Sequence, residues 1–362
     1  MPVRSKWQSL PTEAINPSTL GIDKLSAADI VDVMFNEDRK MLAAVQRERE
    51  RIAVGVEMLS SALRKGGRII FVGAGTSGRL GILESAEMPP TFSTDPTLVH
   101  AIMAGGRDAI FAAKEGVEDN YEEGARAVTR LSPTKKDVVI GVSASGMTPF
   151  VRGALTRSRK AGARVIFVTC DPGTELQTFV DLTIAPGVGA EVIAGSTRLK
   201  AGTATKLVLN MLTTGAMVRI GKTYGNLMVD VQTGSEKLKD RACRIVNIVT
   251  GLEYDEAEKL LRRAQWNVKA AIVMQKTGLP YLKAISRLRK SHDSMREALG
   301  EDIEPRLRGL LQGHAEASSL NGDATGRRHA SRMDHQDLDT TPVERTAARK
   351  SAPSRRVSRQ PQ

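Results

Sequence analysis

The 362-residue sequence predicts an α/β fold: a parallel five-stranded sheet flanked by helices, then a small all-helical region and a disordered basic tail. Three observations carry this expectation. Short, largely apolar runs rich in β-branched residues recur at 68–72 (RIIFV), 98–103 (LVHAIM), 137–142 (DVVIGV), 164–170 (RVIFVTC) and 182–185 (LTIA). Stretches of helical length lie between most of them, and this alternation marks a sheet covered on both faces. Loops rich in Gly, Ser and Thr follow these segments, at the strand ends where open parallel sheets bind ligands.

Residues 1–25 are polar and Pro-containing, an extended lead-in. From 27 to 64 the spacing of Ile30, Val31, Val33, Met34, Met41, Leu42 and Val45 predicts one long helix, stopped by Lys65-Gly66-Gly67. Helices are expected at 77–88, 108–129, 149–159 and 199–220, then short ones at 243–249, 254–264, 266–274 and 279–286, with Gly251 and Gly278 as punctuation. Trp266 and Met274 read as core. After about Gly309 the chain is rich in Ser, Thr, Arg and Asp with little apolar periodicity, which predicts disorder. The division is therefore 1–60 as lead-in and packing helix, 61–235 as the sheet domain, 236–300 as a small helical domain and 301–362 as tail.

Composition narrows the chemistry. Cys170 and Cys243 lie far apart, which excludes a disulfide framework and a four-Cys zinc site. His292, His314, His329 and His335 fall late in the chain, leaving His100 alone in the main body. A Ser-His-Asp triad or His-rich metal site has almost nothing to draw on, so any acid and base are expected to be carboxylates, with no metal and no cofactor. The net charge of +12 raises the question of nucleic acid, but aromatics make up only 4% of the chain. Six basic residues (Arg345, Arg349, Lys350, Arg355, Arg356, Arg359) follow Glu344 with no acid among them, so part of the excess belongs to a tail. No apolar run is long enough to span a bilayer, and the N-terminus lacks a signal pattern. The expectation is a cytoplasmic protein with no membrane and no nucleic-acid partner.

Three loops are candidate sites. Gly73-Ala74-Gly75-Thr76-Ser77-Gly78-Arg79 satisfies G-x-G-x-x-G, but a dinucleotide site needs an acid after the next strand, and that strand ends Met103-Ala104-Gly105-Gly106. Thr76 and Ser77, with Gly75 and Gly78, fit a small phosphate held by backbone N–H and hydroxyl groups instead. The second loop, Ser143-Ala144-Ser145-Gly146-Met147-Thr148-Pro149, places Thr148 as N-cap with Pro149 in the first turn, and Ser143 and Ser145 add hydroxyls at the same edge. In the third, Ser196 or Thr197 could cap the helix from 199. Arg198 and Lys200 in its first turn oppose the helix dipole unless an anion lies beside them. Gly221-Lys222-Thr223 is not a P-loop, because Ala216 stands where glycine is required.

These strings are recognisable together. GAGTSGR, SASGMTP and EVIAGSTRLKAGTATK resemble the sugar isomerase (SIS) phosphosugar-binding fold. GAGTSGRLGILESAEMPPTFS, KEGVEDN, TEAINPSTLGIDKLSAADIV and YGNLMVDVQTGSEKLKDRACRIV resemble the N-acetylmuramic acid 6-phosphate etherase family, over roughly residues 10–300. The resemblance implies cleavage of the D-lactyl ether of a phosphosugar substrate by elimination and hydration, in a homodimer whose subunits share sites. It implies Glu87 as acid and Glu118 as C2 base; similarity to isomerases of the SIS fold, in the context Glu191…Ser196-Thr197, makes Glu191 a third candidate, with orienting the substrate as its alternative role. Pro89 would place Glu87 in a last helical turn, near the negative end of the dipole, with Glu84 its rival. Gly116 would interrupt the second helical stretch, and Asp119 with Glu122 resembles a capping box that leaves Glu118 exposed beforehand. Arg79, Arg198, Lys200 and Lys206 are candidates to meet substrate anions. Residues 243–295 resemble a ubiquitin-associated-like module. Two alternatives stay open, a non-catalytic sugar-phosphate-sensing regulator and an aldose–ketose isomerase.

Overall fold

The computed structural model describes residue 7 and residues 10–312, and the described residues up to Leu307 form one compact unit. The strands are β1 (Ile69–Gly73), β2 (Val99–Met103), β3 (Val138–Val142), β4 (Arg164–Val168) and β5 (Leu182–Ile184). All pair in parallel in the order β2-β1-β3-β4-β5. Alternate residues of one strand serve opposite cores, as the two-residue period requires. Ile69 and Phe71 join Val138, Ile140, Ile166 and Ile184 under one helical layer, while Ile70, Val72, Val139, Val165 and Phe167 pack under the other.

The expected helix over 27–64 is two, α1 (Ala27–Arg47) and α2 (Arg49–Arg64). They divide at Glu48, whose carboxylate accepts from the Ala185 N–H at 3.1 Å and so ties the break to the end of β5. α3 runs from Gly75 to Phe92, through Pro89 and Pro90. The two prolines leave the Ser85 and Ala86 carbonyls without intrahelical donors. Met88 and Phe92 are nevertheless pinned in the core on either side of them, and that burial outweighs the local preference to stop. The single helix expected over 108–129 is divided: α4 (Asp108–Phe111), a 3₁₀ turn at Val117–Asp119 and α5 (Tyr121–Arg130). Gly116 makes the break at φ +75°, and the cap of α5 is Asn120, not Asp119, accepting from the Glu123 N–H at 2.9 Å.

α6 (Pro149–Lys160) and α7 (Lys200–Arg219) follow β3 and β5. α1, α2, α3 and α7 contribute to one layer and α5 and α6 to the other. α5 and α6 touch through glycines, since a Cβ on Gly124 would fall 1.9 Å from the Phe150 carbonyl and one on Gly153 2.0 Å from that of Tyr121. Gly153→Ala is therefore expected to cost about 1–3 kcal/mol through overpacking. A lower urea midpoint at unchanged slope would show it.

The C-terminal helices α8 (Glu236–Thr250), α9 (Tyr254–Arg263), α10 (Val268–Thr277), α11 (Tyr281–Lys290) and α12 (Met295–Leu299) surround a core of their own that includes Met274 and the half-buried Trp266. Residues 304–312 are also helical, contrary to a tail beginning at 301. Ile303 and Leu307 pack on that core with the four-residue spacing of one helical face, a period the sequence reading passed over. The expected disorder beyond 312 lies outside the described residues. Lys222, from the rejected Gly221-Lys222-Thr223 motif, pairs with Asp230 at 3.4 Å, and so does the buried Lys269 at 2.6 Å.

Candidate active site

In the strand order β2-β1-β3-β4-β5 the connections leave β1 and β3 in opposite directions, opening a crevice at their carboxyl ends. A cleft of about 500 Å³ lies there. Gly75, Thr76, Ser77, Ser143, Ser145, Thr148, Thr197 and Glu118 all line it.

Two helix N-termini open into this cleft without side-chain caps. α3 begins at Gly75, at φ +53°, after Ala74, which offers no side-chain cap. Gly73 and Gly78 let strand end and helix start close up: a Cβ on Gly73 would fall 2.7 Å from the Gly78 nitrogen. Gly78, expected at the phosphate, is itself buried under Met103 and shapes the turn from behind. α6 begins after Thr148, whose hydroxyl does not cap the helix but meets the Ser143 hydroxyl at 2.7 Å. Unsatisfied N–H groups at both starts, with the hydroxyls around them, make a site for a small anion.

α7 differs. Its start is capped neither by Ser196 nor by Thr197 but by Glu191, whose carboxylate accepts from the Lys200 N–H at 3.0 Å and the Ala201 N–H at 2.9 Å. Burial pushes the Glu191 carboxyl up from its ordinary value, against the pull of these two N–H groups. Lys200, expected to hold phosphate, is only 2% exposed and its ammonium meets Glu37 at 2.6 Å. The anion that the first turn of α7 called for is thus supplied from within the chain, by Glu191 and Glu37. Ser196 and Arg198 lie beside the cleft, outside its lining.

Arg79, Lys114 and Lys206 are occupied too. Arg79 lines the cleft but donates to the carbonyls of Ile110 at 2.7 Å and Ala109 at 2.8 Å, fixing α4. Lys114 pairs with Asp108 at 3.0 Å, and Lys206 bonds to Asn210. What the cleft offers an anion is consequently hydroxyls and N–H dipoles.

Glu118 sits half-buried on the 3₁₀ turn after Gly116, and its carboxylate makes no hydrogen bond or ion pair among the described residues. Glu87 is not with it. α3 continues past the prolines, so the expected position in a last turn does not hold. Twelve residues separate Glu87 from Gly75, about 18 Å along the helix. Glu87 is exposed on the outer side of α3. Its rival Glu84 is buried and committed, accepting from the Thr213 hydroxyl at 2.7 Å and from the Asn210 amide. Burial pushes the Glu84 carboxyl up despite those bonds. Burial and neighbouring Glu191 push the Cys170 thiol to about 12, which removes it as a nucleophile. Among the described residues no group of three His, Cys, Asp or Glu could hold a metal ion, and no helix is long and apolar enough to cross a membrane.

Trp7 and Glu13 also line the cleft, and the sequence reading passed over both. Glu13 falls within the TEAINPSTLGIDKLSAADIV string of the family resemblance, which assigned it no role, and nothing in the polar lead-in marked Trp7.

The sheet order and the paired, hydroxyl-lined helix starts at its switch point define a doubly wound α/β domain built to hold a small anion. A family model described as the glucokinase regulatory protein N-terminal SIS domain matches residues 51–159. The chain is 48% identical to the N-acetylmuramic acid 6-phosphate etherase of Salinibacter ruber, over 82% of this chain and 95% of that protein. It is 47% identical to that of Clostridioides difficile, over 81% and 96%. The chain belongs to the N-acetylmuramic acid 6-phosphate etherase family. A phosphoheptose isomerase from Francisella tularensis superimposes with a TM-score of 0.43 at 18% identity, over 54% of this chain and 100% of that one.

Proposed function

We propose that this chain cleaves the D-lactyl ether of N-acetylmuramic acid 6-phosphate, giving N-acetylglucosamine 6-phosphate and D-lactate, as a step of peptidoglycan amino sugar recycling in the cytoplasm. The observation that carries it is Glu118, an uncommitted carboxylate in a cleft with two uncapped helix starts. A regulator that only senses sugar phosphates has no use for such a base. The regulatory-protein model spans 51–159 alone, whereas the etherase relatives run over four-fifths of the chain.

The phosphate sits on the N–H groups and hydroxyls of the loops at Gly75, Thr76 and Ser77 and at Ser143, Ser145 and Thr148. In the open-chain sugar the C2–H bond lies next to the C1 aldehyde, so its proton is removable. Glu118 takes that proton, the C2–H electrons form the C2–C3 double bond and the C3–O bond breaks. Glu87 delivers a proton to the departing ether oxygen, releasing lactate. Water then adds at C3 of the unsaturated aldehyde, and C2 regains a proton.

One chain cannot complete this site, since its Glu87 lies outside its cleft. The reading is therefore of a homodimer in which α3 of each subunit brings Glu87 to the other's cleft. Support comes from large apolar side chains left exposed on α1, α3 and α7, including Val31, Phe35, Leu83, Met211 and Val218. In this arrangement residues 61–235 hold the phosphosugar and residues 236–300 support the fold beside it. Incubating the purified protein with N-acetylmuramic acid 6-phosphate is expected to release D-lactate and N-acetylglucosamine 6-phosphate in equal amounts. Absence of lactate above the no-enzyme control would defeat the reading.

A further inference from the structure

The lead-in before α1 is more than a connector. Leu10 and Thr12 are buried, the Thr19 hydroxyl donates to the Val192 carbonyl at 2.9 Å, and the Asn16 amide donates to the Glu37 carboxylate at 2.9 Å and the Ala190 carbonyl at 3.3 Å. These bonds fasten the segment to the loop that holds Glu191 under the start of α7 and brings Thr197 to the cleft. From this anchored stretch two side chains reach the cleft, Trp7 and Glu13. Glu13 extends over Gly195, where φ is +76° and a Cβ would lie 3.0 Å from a Glu13 carboxylate oxygen. The bare backbone leaves that carboxylate its room.

Glu13 is exposed, and its carboxylate makes no hydrogen bond or ion pair among the described residues, though its backbone N–H donates to the Leu10 carbonyl at 3.0 Å. An ionised carboxylate only accepts, so what it meets in the cleft must donate. The anionic end of the substrate is already provided for at the helix starts, and a second anion beside Glu13 would be repelled. A sugar presents neutral donors, its hydroxyls and amide N–H, and an apolar C–H surface suited to an indole face.

We propose that the N-terminal segment is a recognition wall of the cleft, in which Glu13 accepts a hydrogen bond from a hydroxyl or amide N–H of the bound sugar phosphate and Trp7 covers its C–H surface. The wall rests on the etherase reading only for the identity of its ligand. It is a specificity element and takes no part in the proton transfers.

The chain has two tryptophans, and the other, Trp266, lies in the C-terminal helical core, with Lys239 and Arg262 over its ring at 5.3 and 5.8 Å. Titrating the full-length protein with the product N-acetylglucosamine 6-phosphate is therefore expected to change the emission of Trp7 alone. The change should be present in the wild type and absent in Trp7→Phe. Glu13→Ala should raise the Kd, measured by calorimetry, by about tenfold or more, the loss of one hydrogen bond to a charged group, at an unchanged melting temperature. 2-Deoxyglucose 6-phosphate, which carries no donor at C2, separates the donors. If the amide N–H is the partner, the Glu13→Ala penalty vanishes with this probe; if a hydroxyl is, the penalty stays.

Glu13→Ala binding within twofold of wild type, or a full emission change in Trp7→Phe, would overturn the wall. Lactate release by the wild type is a separate measurement. A failed wall leaves the etherase reading standing, and sugar-phosphate binding without lactate release leaves the wall and removes the etherase.

Discussion

Glu118→Gln is expected to lower D-lactate release by about 10²- to 10⁴-fold, the usual contribution of a positioned general base. The substitution keeps size and removes the basic oxygen. Glu118 lies half-buried on the 3₁₀ turn with no structural partner among the described residues, so the melting temperature should hardly move. In D₂O the same variant should stop deuterium from entering C2 of the sugar. Glu87→Gln should leave that exchange largely intact and block lactate loss, because its role begins at the leaving oxygen. Normal exchange in both variants would show the roles to be wrong. Mixing the two variants under conditions that exchange subunits adds a test of the shared site. A heterodimer of Glu87→Gln and Glu118→Gln chains has one cleft with both carboxylates intact and one with neither, so activity should return. If each chain used its own Glu87, no mixture would recover it.

The separation of Glu87 from Glu118 shows how far a sequence can be read here. The strands were legible within a residue or two because their apolar runs need no partner to be recognised. The two hydroxyl-rich loops that line the cleft were legible because hydroxyls and glycines between a strand and a helix mark the ligand-binding edge of a parallel sheet. What escaped was set by distant contacts. Pro89 and Pro90 argue for a helix end, and only the burial of Met88 and Phe92 carries α3 through them. Lys200 looks like a phosphate ligand until α1 folds over and delivers Glu37, 163 residues earlier in the chain. Glu13 carries no local signal, since its place over the cleft depends on Asn16 and Thr19 finding the carbonyls of Ala190 and Val192.

The Lys200 correction carries the largest expected effect on stability. Lys200→Met removes the cation from a pair in which both side chains are nearly sealed from water, 2% and 4% exposed, and leaves the Glu37 carboxylate behind. Taking away its buried cation leaves Glu37 only the largely exposed Lys40 and the Asn16 amide, and the cost approaches the roughly 3–5 kcal/mol of a fully stranded buried charge. The pH dependence identifies the cause. Burial alone would raise the Glu37 carboxyl, but hydrogen bonds from Lys200, Lys40 and Asn16 outweigh it and hold the group at about 2, against an ordinary 4.5. With its pKa depressed on folding, Glu37 in the wild type contributes stability that is complete above pH 4.5 and is lost as the pH falls towards 2. In Lys200→Met the main counter-charge is gone and burial prevails, so the folded-state pKa of Glu37 rises. The stability deficit should then shrink as the pH is lowered and the stranded carboxyl takes up a proton. Urea melts of both proteins at neutral pH and in mild acid would measure this. Adding Glu37→Gln to Lys200→Met should recover much of the loss at neutral pH, because it removes the charge and keeps an acceptor for Asn16. A double variant no more stable than Lys200→Met would mean that the lost packing of the lysine, not the stranded carboxylate, carries the cost.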